Sequence, residues 1–136
     1  MAQPVLLDLF PIPARMEEGD DGHWITKRLS SSDVDSSSRL LLAKEDVKNY
    51  VLPFMDEERR AACESREGLR VNVWDLDTRS EHELSLKQWR SGSFVLTSYW
   101  SREFVRRRNL QTGDFIRLRW DTENRRFLFR KSNVQP

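Results

Sequence analysis

Alternating apolar and polar residues predict β-strands along most of the chain after residue 23. In residues 24–29, Ile25 and Leu29 lie on one side of an extended segment and the intervening positions point to the other side. Segments 69–77 and 81–89 also place apolar residues at every second position, and the turn-forming residues between them predict a hairpin. Seven strands are predicted in all, at 24–29, 39–42, 69–77, 81–89, 93–100, 114–120 and 126–131.

Two short helices are predicted between these strands. Residues 43–52 carry two valines four positions apart and are followed by a proline that ends the helix. Residues 101–109 begin at Ser101, a residue type that caps helix N-termini, and Trp100 and Phe104 lie one turn apart toward a core.

The charged connection at residues 56–68 has fair helical propensity but no apolar stripe, so it is predicted to be mostly loop. Many short strands with small helices at their connections are typical of a compact or partly open β-barrel. The predicted fold class is therefore mainly β (α+β).

The chain is predicted to form one domain with two flanking segments. Residues 1–23 contain three prolines and an acidic run, which predicts an irregular N-terminal segment. The domain is expected to cover 24–131, and residues 132–136 form a C-terminal tail. A chain of 136 residues is long enough for one core and short for two.

The charge of the chain is nearly balanced, with 23 Lys and Arg against 22 Asp and Glu, but its distribution is uneven. Residues 1–23 hold one base and five acids, so the rest of the chain carries 22 bases and 17 acids. Net charge alone argues for no polyanionic partner, but the predicted domain is basic and the acidic N-terminal segment masks its charge.

One cysteine and two histidines leave no intramolecular disulfide and no Cys- or His-based metal site. We expect an intracellular protein without a metal or another cofactor. No apolar run reaches the roughly 18 residues that a membrane span requires, and the N-terminal segment lacks the basic start of a signal peptide.

The segment 25–44 offers candidate chemistry for nucleic-acid binding. Cationic side chains attract phosphates, and small hydroxyl groups donate hydrogen bonds to phosphates or base edges. A solvated serine-rich turn is the alternative, with Asp33 fixing the loop as an Asx turn or a helix cap. The candidate contact residues in this segment are Lys27, Arg28, Ser30, Ser31, Ser36, Ser37, Ser38, Arg39 and Lys44.

A second candidate contact segment lies between two predicted strands. An arginine can bind guanine through two hydrogen bonds, and a tryptophan at a strand end can pack on a sugar or a thymine methyl group. Tryptophan is more often a core residue, but Trp89 falls on the strand face opposite Leu84 and Leu86, which favours exposure. The candidate residues here are Lys87, Trp89, Arg90, Ser91 and Ser93.

The remaining charged clusters are predicted to be solvated surface. This applies to the arginines 106–108 on the second predicted helix, for which a nuclear-localisation patch or a phosphate contact is the alternative. It also applies to Arg117 and Arg119 on a strand. The acids of the hairpin, Asp75 among them, are also expected at the surface. They lack the spacing to a lysine that metal-dependent nucleases use, so we expect no catalytic residues and no enzyme.

Several motifs, in this order and spacing, resemble the plant B3 DNA-binding domain over residues 24–131. The most specific are "SDV" at 32–34, "RL" at 39–40 and a block comprising Trp100, Phe104, Val105, Asn109, Leu110, Gly113, Asp114 and Phe115. The resemblance implies a seven-stranded open β-barrel (a B3-type pseudobarrel) with two short helices. It also implies two loop arms, the two candidate contact segments above, that enter the major groove.

The resemblance further implies a nuclear regulator of transcription in a plant, with double-stranded DNA as its partner and no small-molecule substrate. Other transcription regulators and a second copy of the chain stay open as partners. Asp35 and Ser36 stand where such domains often carry glycine and lysine, and Ala43 stands where they often carry proline. The alternative function is therefore a protein-interaction module on the same barrel with weak or lost DNA binding.

Overall fold

The computed structural model describes residues 23–132 and contains all seven predicted strands. Their bounds are β1 (Ile25–Arg28), β2 (Leu40–Leu42), β3 (Leu69–Asp75), β4 (Ser80–Gln88), β5 (Phe94–Thr97), β6 (Phe115–Asp121) and β7 (Arg126–Ser132). The predicted hairpin is the pair of β3 and β4, in which Leu69 lies opposite Leu86 and Asp75 lies opposite Ser80.

The seven strands form one sheet in the order β1-β6-β7-β3-β4-β5-β2. All neighbouring strands are antiparallel except β3 and β7, which run parallel. The sheet curves into a nearly closed barrel, as predicted. Its two edge strands, β1 and β2, approach each other closely enough for the Lys27 ammonium of β1 to donate to the Leu41 carbonyl of β2 at 2.6 Å. We call this gap between β1 and β2 the seam.

The core lies inside the barrel and under the helix that follows β5. The Trp100 and Phe104 rings stack with centroids 5.1 Å apart, and the Phe104 ring lies 4.6 Å from that of Phe129 on β7. All three side chains are fully buried. The prediction that Trp100 and Phe104 face a core is confirmed, because their one-turn spacing places both on the inner side of the helix.

The structure has more helical segments than the two that were predicted. They are α1 (Ser31–Val34), α2 (Lys44–Tyr50), a 3-10 turn (Leu52–Phe54), α3 (Glu57–Cys63) and α4 (Ser101–Arg106), the last with π-type hydrogen bonding. In α4 the predicted cap is wrong by one position, because Trp100 already has helical backbone angles and the Ser101 amide donates to the Ser38 hydroxyl.

The prediction of loop for residues 56–68 is wrong over α3. The side chain of Asp56 caps this helix by accepting from the Arg59 amide at 2.8 Å, and the Arg60 guanidinium donates to the Met55 carbonyl at 2.6 Å. Cys63 is the one fully buried side chain among the helix residues, which explains why no apolar stripe is visible in the sequence. Burial raises the pKa of the Cys63 thiol to about 11, so it is protonated at neutral pH.

Asp75 is fully buried, so the prediction that the acids of the hairpin are surface residues is wrong at this position. Its carboxylate accepts from Arg107 at 2.7 Å and from Arg108 at 2.6 Å. These two arginines of the predicted solvated cluster therefore join α4 to the end of β3, while Arg106 stays exposed. Arg119, predicted to point outward, is also buried, and its guanidinium lies over the Trp24 ring at 5.7 Å.

The predicted N-terminal segment and C-terminal tail lie outside the described residues, apart from His23 and Ser132. The His23 ring stacks on the Tyr50 ring of α2 at 3.8 Å, and Ser132 is the last residue of β7. Across residues 23–132, no helix has the length and apolar character to span a membrane, and no group of three or more His, Cys, Asp or Glu side chains could hold a metal ion.

Candidate nucleic-acid interface

The two candidate contact segments are adjacent surface features of the barrel. We call residues 27–44 arm 1, which includes the ends of β1 and α2, and residues 87–93 arm 2. Arm 1 runs from the end of β1 through α1 and β2, and arm 2 joins β4 to β5. Their geometry is set by different kinds of contact.

Arm 1 begins with a capped helical turn. Ser30 is the N-cap of α1, and its hydroxyl and amide both donate to the Asp33 carboxylate, at 2.9 and 2.8 Å. The Asp33 carboxylate at position N3 thus accepts from the N-cap amide, as in a capping box, so the predicted capping role of Asp33 is confirmed. The Asp33 carbonyl accepts from the buried Trp100 indole at 2.9 Å, which attaches the turn to the core.

The Asp33 carboxylate also organises the seam. It is fully buried and lies 3.2 Å from both the Lys27 ammonium and the Arg39 guanidinium. It accepts in addition from the Leu41 amide of β2 at 3.1 Å. Lys27 donates to the Leu41 carbonyl, so both the amide and the carbonyl of Leu41 are hydrogen-bonded to side chains. At the edge of the sheet these side chains take the place of a neighbouring strand.

Asp33 keeps its charge despite its burial. Burial alone raises the pKa of this carboxyl, but hydrogen bonds from the Ser30 and Leu41 amides and the charge of Lys27 outweigh it and hold the pKa below its ordinary value. Lys27 and Arg39 remain partly accessible, with 22% and 18% of their side chains exposed. They can therefore face a ligand while their charge is partly balanced by Asp33.

The outer part of arm 1 is held by short polar contacts. Asp35 accepts from the Ser37 amide at 2.8 Å and from its hydroxyl at 2.6 Å, and this Asx turn lowers the pKa of Asp35 through those hydrogen bonds. Ser38 has a left-handed backbone, with φ of 55°, and its hydroxyl accepts from the Ser101 amide at 2.9 Å. Ser31 and Ser36 are exposed.

Arm 2 is a tight turn that displays a tryptophan. The Trp89 amide donates to the Ser93 carbonyl at 2.8 Å, and the Gly92 amide donates to the Trp89 carbonyl at 2.9 Å. Gly92 has φ of 101°, a conformation that disfavours other residues. The Trp89 side chain is 39% exposed and Arg90 and Ser91 are exposed, whereas Leu84 and Leu86 are buried. The predicted exposure of Trp89 is confirmed.

The sheet brings the two arms together, because β2 pairs with β5 and thereby places the end of arm 1 beside arm 2. The Arg39 guanidinium lies 5.6 Å from the centre of the Trp89 ring. The Lys44 side chain runs past Gly92, where an added Cβ would lie 3.2 Å from its Cδ. Candidate residues from both arms therefore form one continuous surface.

The cations of this surface fall into two groups. Lys27 and Arg39 are bound to Asp33. The second group is Arg28, Lys44, Lys87 and Arg90, which have no ion pair with any carboxylate within residues 23–132. Lys87 is half-buried and the other three are exposed. The second group supplies charge that a polyanion can neutralise without displacing an existing partner.

The sequence did not identify a further group of residues beside arm 1. Tyr99, Arg102 and Arg106 line a cleft together with residues of arm 1. Nothing in the sequence separates Arg106 from Arg107 and Arg108, because only the fold directs the latter two toward Asp75.

Comparison with known proteins gives a match for most of the chain. A family model described as "B3 domain-containing protein At5g26805, C-terminal domain" matches residues 24–131. A putative B3 domain-containing protein of Arabidopsis thaliana, At3g28853, is 32% identical over 103 residues, which cover 76% of this chain and 82% of the relative. Another Arabidopsis protein, At1g78640, is 35% identical over 106 residues, but the match spans 22% of its length.

Solved structures match the barrel as well. The chain in a structure titled "Arabidopsis FUS3-DNA complex" superposes with a TM-score of 0.64 and 26% identity, covering 83% of this chain and all of the other. The Arabidopsis LEC2-DNA complex gives a TM-score of 0.63 at 24% identity, covers 85% of this chain and 100% of the other, and supports the fold.

Proposed function

The chain belongs to the B3 domain family, and we propose on this premise that it is a nuclear transcription regulator that binds double-stranded DNA. The FUS3 domain that its barrel resembles was solved in complex with DNA. The functional domain in this proposal is residues 24–131, and the chemistry requires neither a cofactor nor a catalytic residue.

We further propose that arms 1 and 2 enter the major groove together. The observation that carries this proposal is the continuous surface formed by the two arms, on which Arg28, Lys44 and Arg90 are exposed and have no carboxylate partner within residues 23–132. A polyanion gains most from cations of this kind, because binding releases the counterions condensed on its phosphates.

The proposal assigns different roles to different residues. Arg28, Lys44, Lys87 and Arg90 neutralise phosphates, and the exposed Ser31, Ser36 and Ser91 donate hydrogen bonds to phosphates or base edges. Trp89, beside Arg90, packs on a sugar or a thymine methyl group. Lys27 and Arg39 contact DNA from fixed positions, because Asp33 orients both of them. Ser30, Ser37 and Ser38 mainly shape the arm, and Ser93 closes the turn of arm 2.

The first test is a salt titration of binding to random-sequence duplex, followed by selection of preferred sites from a random pool. The logarithm of the association constant should fall with the logarithm of salt concentration, with a slope of about −0.9 for each phosphate neutralised. Site selection should then enrich a defined sequence. Binding that is indifferent to salt, or selection without enrichment, contradicts the proposal.

Substitutions in the arms should separate binding from folding. Arg90→Gln should reduce the salt slope by about 1 and change the free energy of unfolding by less than about 0.5 kcal/mol. Arg39→Gln should reduce the slope similarly but also destabilise the fold by about 1 kcal/mol, because Arg39 pairs with the buried Asp33. Arg125→Gln is the matched control.

Arg125 is an exposed arginine in the turn between β6 and β7. This turn follows the end of β6, roughly 20 Å along the strand from Phe115, which pairs with Arg28 at the start of arm 1. Its neutralisation should leave both the salt slope and the site preference unchanged. An equal effect of Arg125→Gln and Arg90→Gln would show that binding is non-specific attraction to a basic protein.

A protein-interaction module on the same barrel is the second candidate function. The exposed carboxylate of Asp35 on arm 1 favours it, since a negative charge facing phosphates weakens binding to DNA. The same titration decides between the two, because this function predicts no measurable affinity for duplex while the domain remains folded.

A further inference from the structure

A cleft of about 640 Å³ lies between arm 1 and α4. One wall belongs to arm 1 and includes Ser36 and Ser38. The other wall comes from α4, which carries Arg102 and Arg106, and from Tyr99, two residues before the helix. Val34 and Val105, which are half-buried and buried, also line the cleft.

One cation of this cleft, Arg106, differs from its neighbours Arg107 and Arg108. Arg107 and Arg108 donate to the buried Asp75 and are neutralised there. Arg106 is exposed, has no ion pair within residues 23–132 and lines the cleft instead. The helical rotation between consecutive residues separates the two groups, so one short basic run serves a structural site and a surface site.

Arg102 is held in a defined position on the other side of the cleft. Its guanidinium lies 4.2 Å from the centre of the Tyr99 ring, and its Nε donates to Glu103 at 2.9 Å. With Nε bound, the two terminal nitrogens remain for a ligand. An arginine that is stacked and oriented in this way loses little conformational entropy when it binds a phosphate.

The backbone displays Tyr99 toward solvent. Ser98 and Tyr99 both have left-handed conformations, with φ of 63° and 72°, and the Tyr99 side chain is 58% exposed. Two consecutive left-handed residues that are not glycine are strained, and such strain clusters at functional sites. The strained turn places the ring under Arg102, where it positions the guanidinium.

We propose that this cleft binds a backbone phosphate of the DNA duplex, beyond the groove contacts of the two arms. The inference rests on the proposed function and extends the interface to the flanking duplex. Arg102 and Arg106 neutralise the phosphate, and Ser36 donates to it from the arm 1 wall. The Tyr99 ring holds Arg102 and offers an apolar face to the adjoining sugar.

Continuity with arm 1 favours DNA as the occupant over an acidic peptide. Asp35, Ser36 and Ser38 belong both to arm 1 and to the cleft wall, so a duplex held by arm 1 passes the cleft without a second binding event. Asp35 is the one acid among the lining residues, and its Oδ1 is already occupied by the amide and the hydroxyl of Ser37. The cleft therefore has a cationic wall that complements a phosphodiester.

The test compares salt slopes of wild type and the double variant Arg102→Gln/Arg106→Gln on two duplexes. One duplex is trimmed to the shortest length that keeps full binding by the double variant, and the other is extended by about ten base pairs on each side. On the extended duplex, the salt slope of the double variant should be smaller in magnitude than that of wild type by about 2. On the trimmed duplex, the two proteins should give equal slopes.

Variants of Tyr99 provide a second test of the same site. Tyr99→Phe keeps the ring under Arg102 and should bind the extended duplex as wild type does. Tyr99→Ala removes the ring and should reduce the slope by up to about 1, like loss of Arg102 alone. The control is Arg125→Gln, which should have no effect on either duplex.

The outcomes separate this inference from the proposed function. If wild type binds DNA with a normal salt slope and the double variant has the same slope on the extended duplex, the cleft is not a phosphate site. Equal losses on both duplexes also overturn the inference, since the cleft then belongs to the primary contact. If wild type binds no duplex at all, the proposed function fails with it.

Discussion

Asp33 and Asp75 are both fully buried carboxylates, and each binds two cationic side chains. The two pairs of cations lie in different parts of the chain. At Asp75 they are Arg107 and Arg108, adjacent residues on one side of the barrel that join α4 to the end of β3. At Asp33 they are Lys27 on β1 and Arg39, the residue before β2, which both belong to arm 1. The same chemistry thus stabilises the fold at one site and shapes the proposed binding surface at the other.

The difference shows that a basic residue cannot be assigned to a ligand from its charge alone. Arg108 is 14% exposed and binds both Asp75 and Asp77, so its charge is used within the fold. The Arg39 side chain is 18% exposed, a similar fraction, but it also lies against the Trp89 ring of arm 2. The two arginines differ in location: the exposed part of Arg108 lies beside Asp77, and that of Arg39 lies beside arm 2.

Asp75→Asn should have the largest effect on stability, because it leaves Arg108 buried without its main partner. Breaking a buried pair of this kind costs about 3–5 kcal/mol, measured as the free energy of unfolding in urea. The salt slope of DNA binding by the folded fraction should not change. Asp77→Asn is the control and should cost less than about 1 kcal/mol, since Asp77 is partly exposed. Equal costs would mean that Asp75 is not the main partner of Arg108.

Asp33→Asn should cost less stability but also weaken binding. The amide can still accept from the Ser30 and Leu41 amides, but it loses the charge-assisted bonds to Lys27 and Arg39, worth about 1.5–3 kcal/mol. Both cations can turn toward water, which limits the loss. Affinity for duplex should fall because the arm is no longer fixed, and both quantities should be measured on one preparation.

The combined result sharpens the comparison between the two aspartates. If Asp33→Asn lowers stability and leaves DNA affinity unchanged, arm 1 does not depend on the carboxylate for its shape. If it raises affinity, Lys27 and Arg39 bind DNA more strongly when Asp33 does not compete for them. Either result would contradict the shaping role proposed for Asp33.

Acid should destabilise the protein through both carboxylates. Burial raises the pKa of Asp75, but hydrogen bonds from Arg107 and Arg108 outweigh it and hold the pKa below its ordinary value, as other donors do at Asp33. With folded pKa values below the ordinary value of 3.8, the unfolded chain takes up protons first, so stability is present above about pH 4 and is lost as pH falls below it.

Each unit of pKa depression corresponds to about 1.4 kcal/mol of stability that is lost on acidification, so the thermal midpoint should decline as the pH falls below about 4. Asp33→Asn and Asp75→Asn should each flatten this decline, and the double variant should flatten it most. A decline of unchanged steepness in both single variants would assign acid sensitivity to other carboxylates.

Most of the fold could be predicted from local pattern. The seven strands and the core positions of Trp100 and Phe104 follow from apolar residues at periods of two and near four. The helix α3 could not be predicted in this way, because it is stabilised by the Asp56 cap and buries Cys63 rather than an apolar stripe. The candidate contact residues of the arms were reached through motif order, and their roles remain predictions.

The sequence by itself therefore determined the strands, the capped turn at Asp33 and the exposure of Trp89, since each depends on residues within a few positions of one another. Only the tertiary structure decided which cations are neutralised. Asp75 meets Arg107 and Arg108 across 32 and 33 residues, and Arg39 meets Trp89 through the pairing of β2 with β5. Charge pairing depends on distances in space, and those distances are set when the barrel nearly closes.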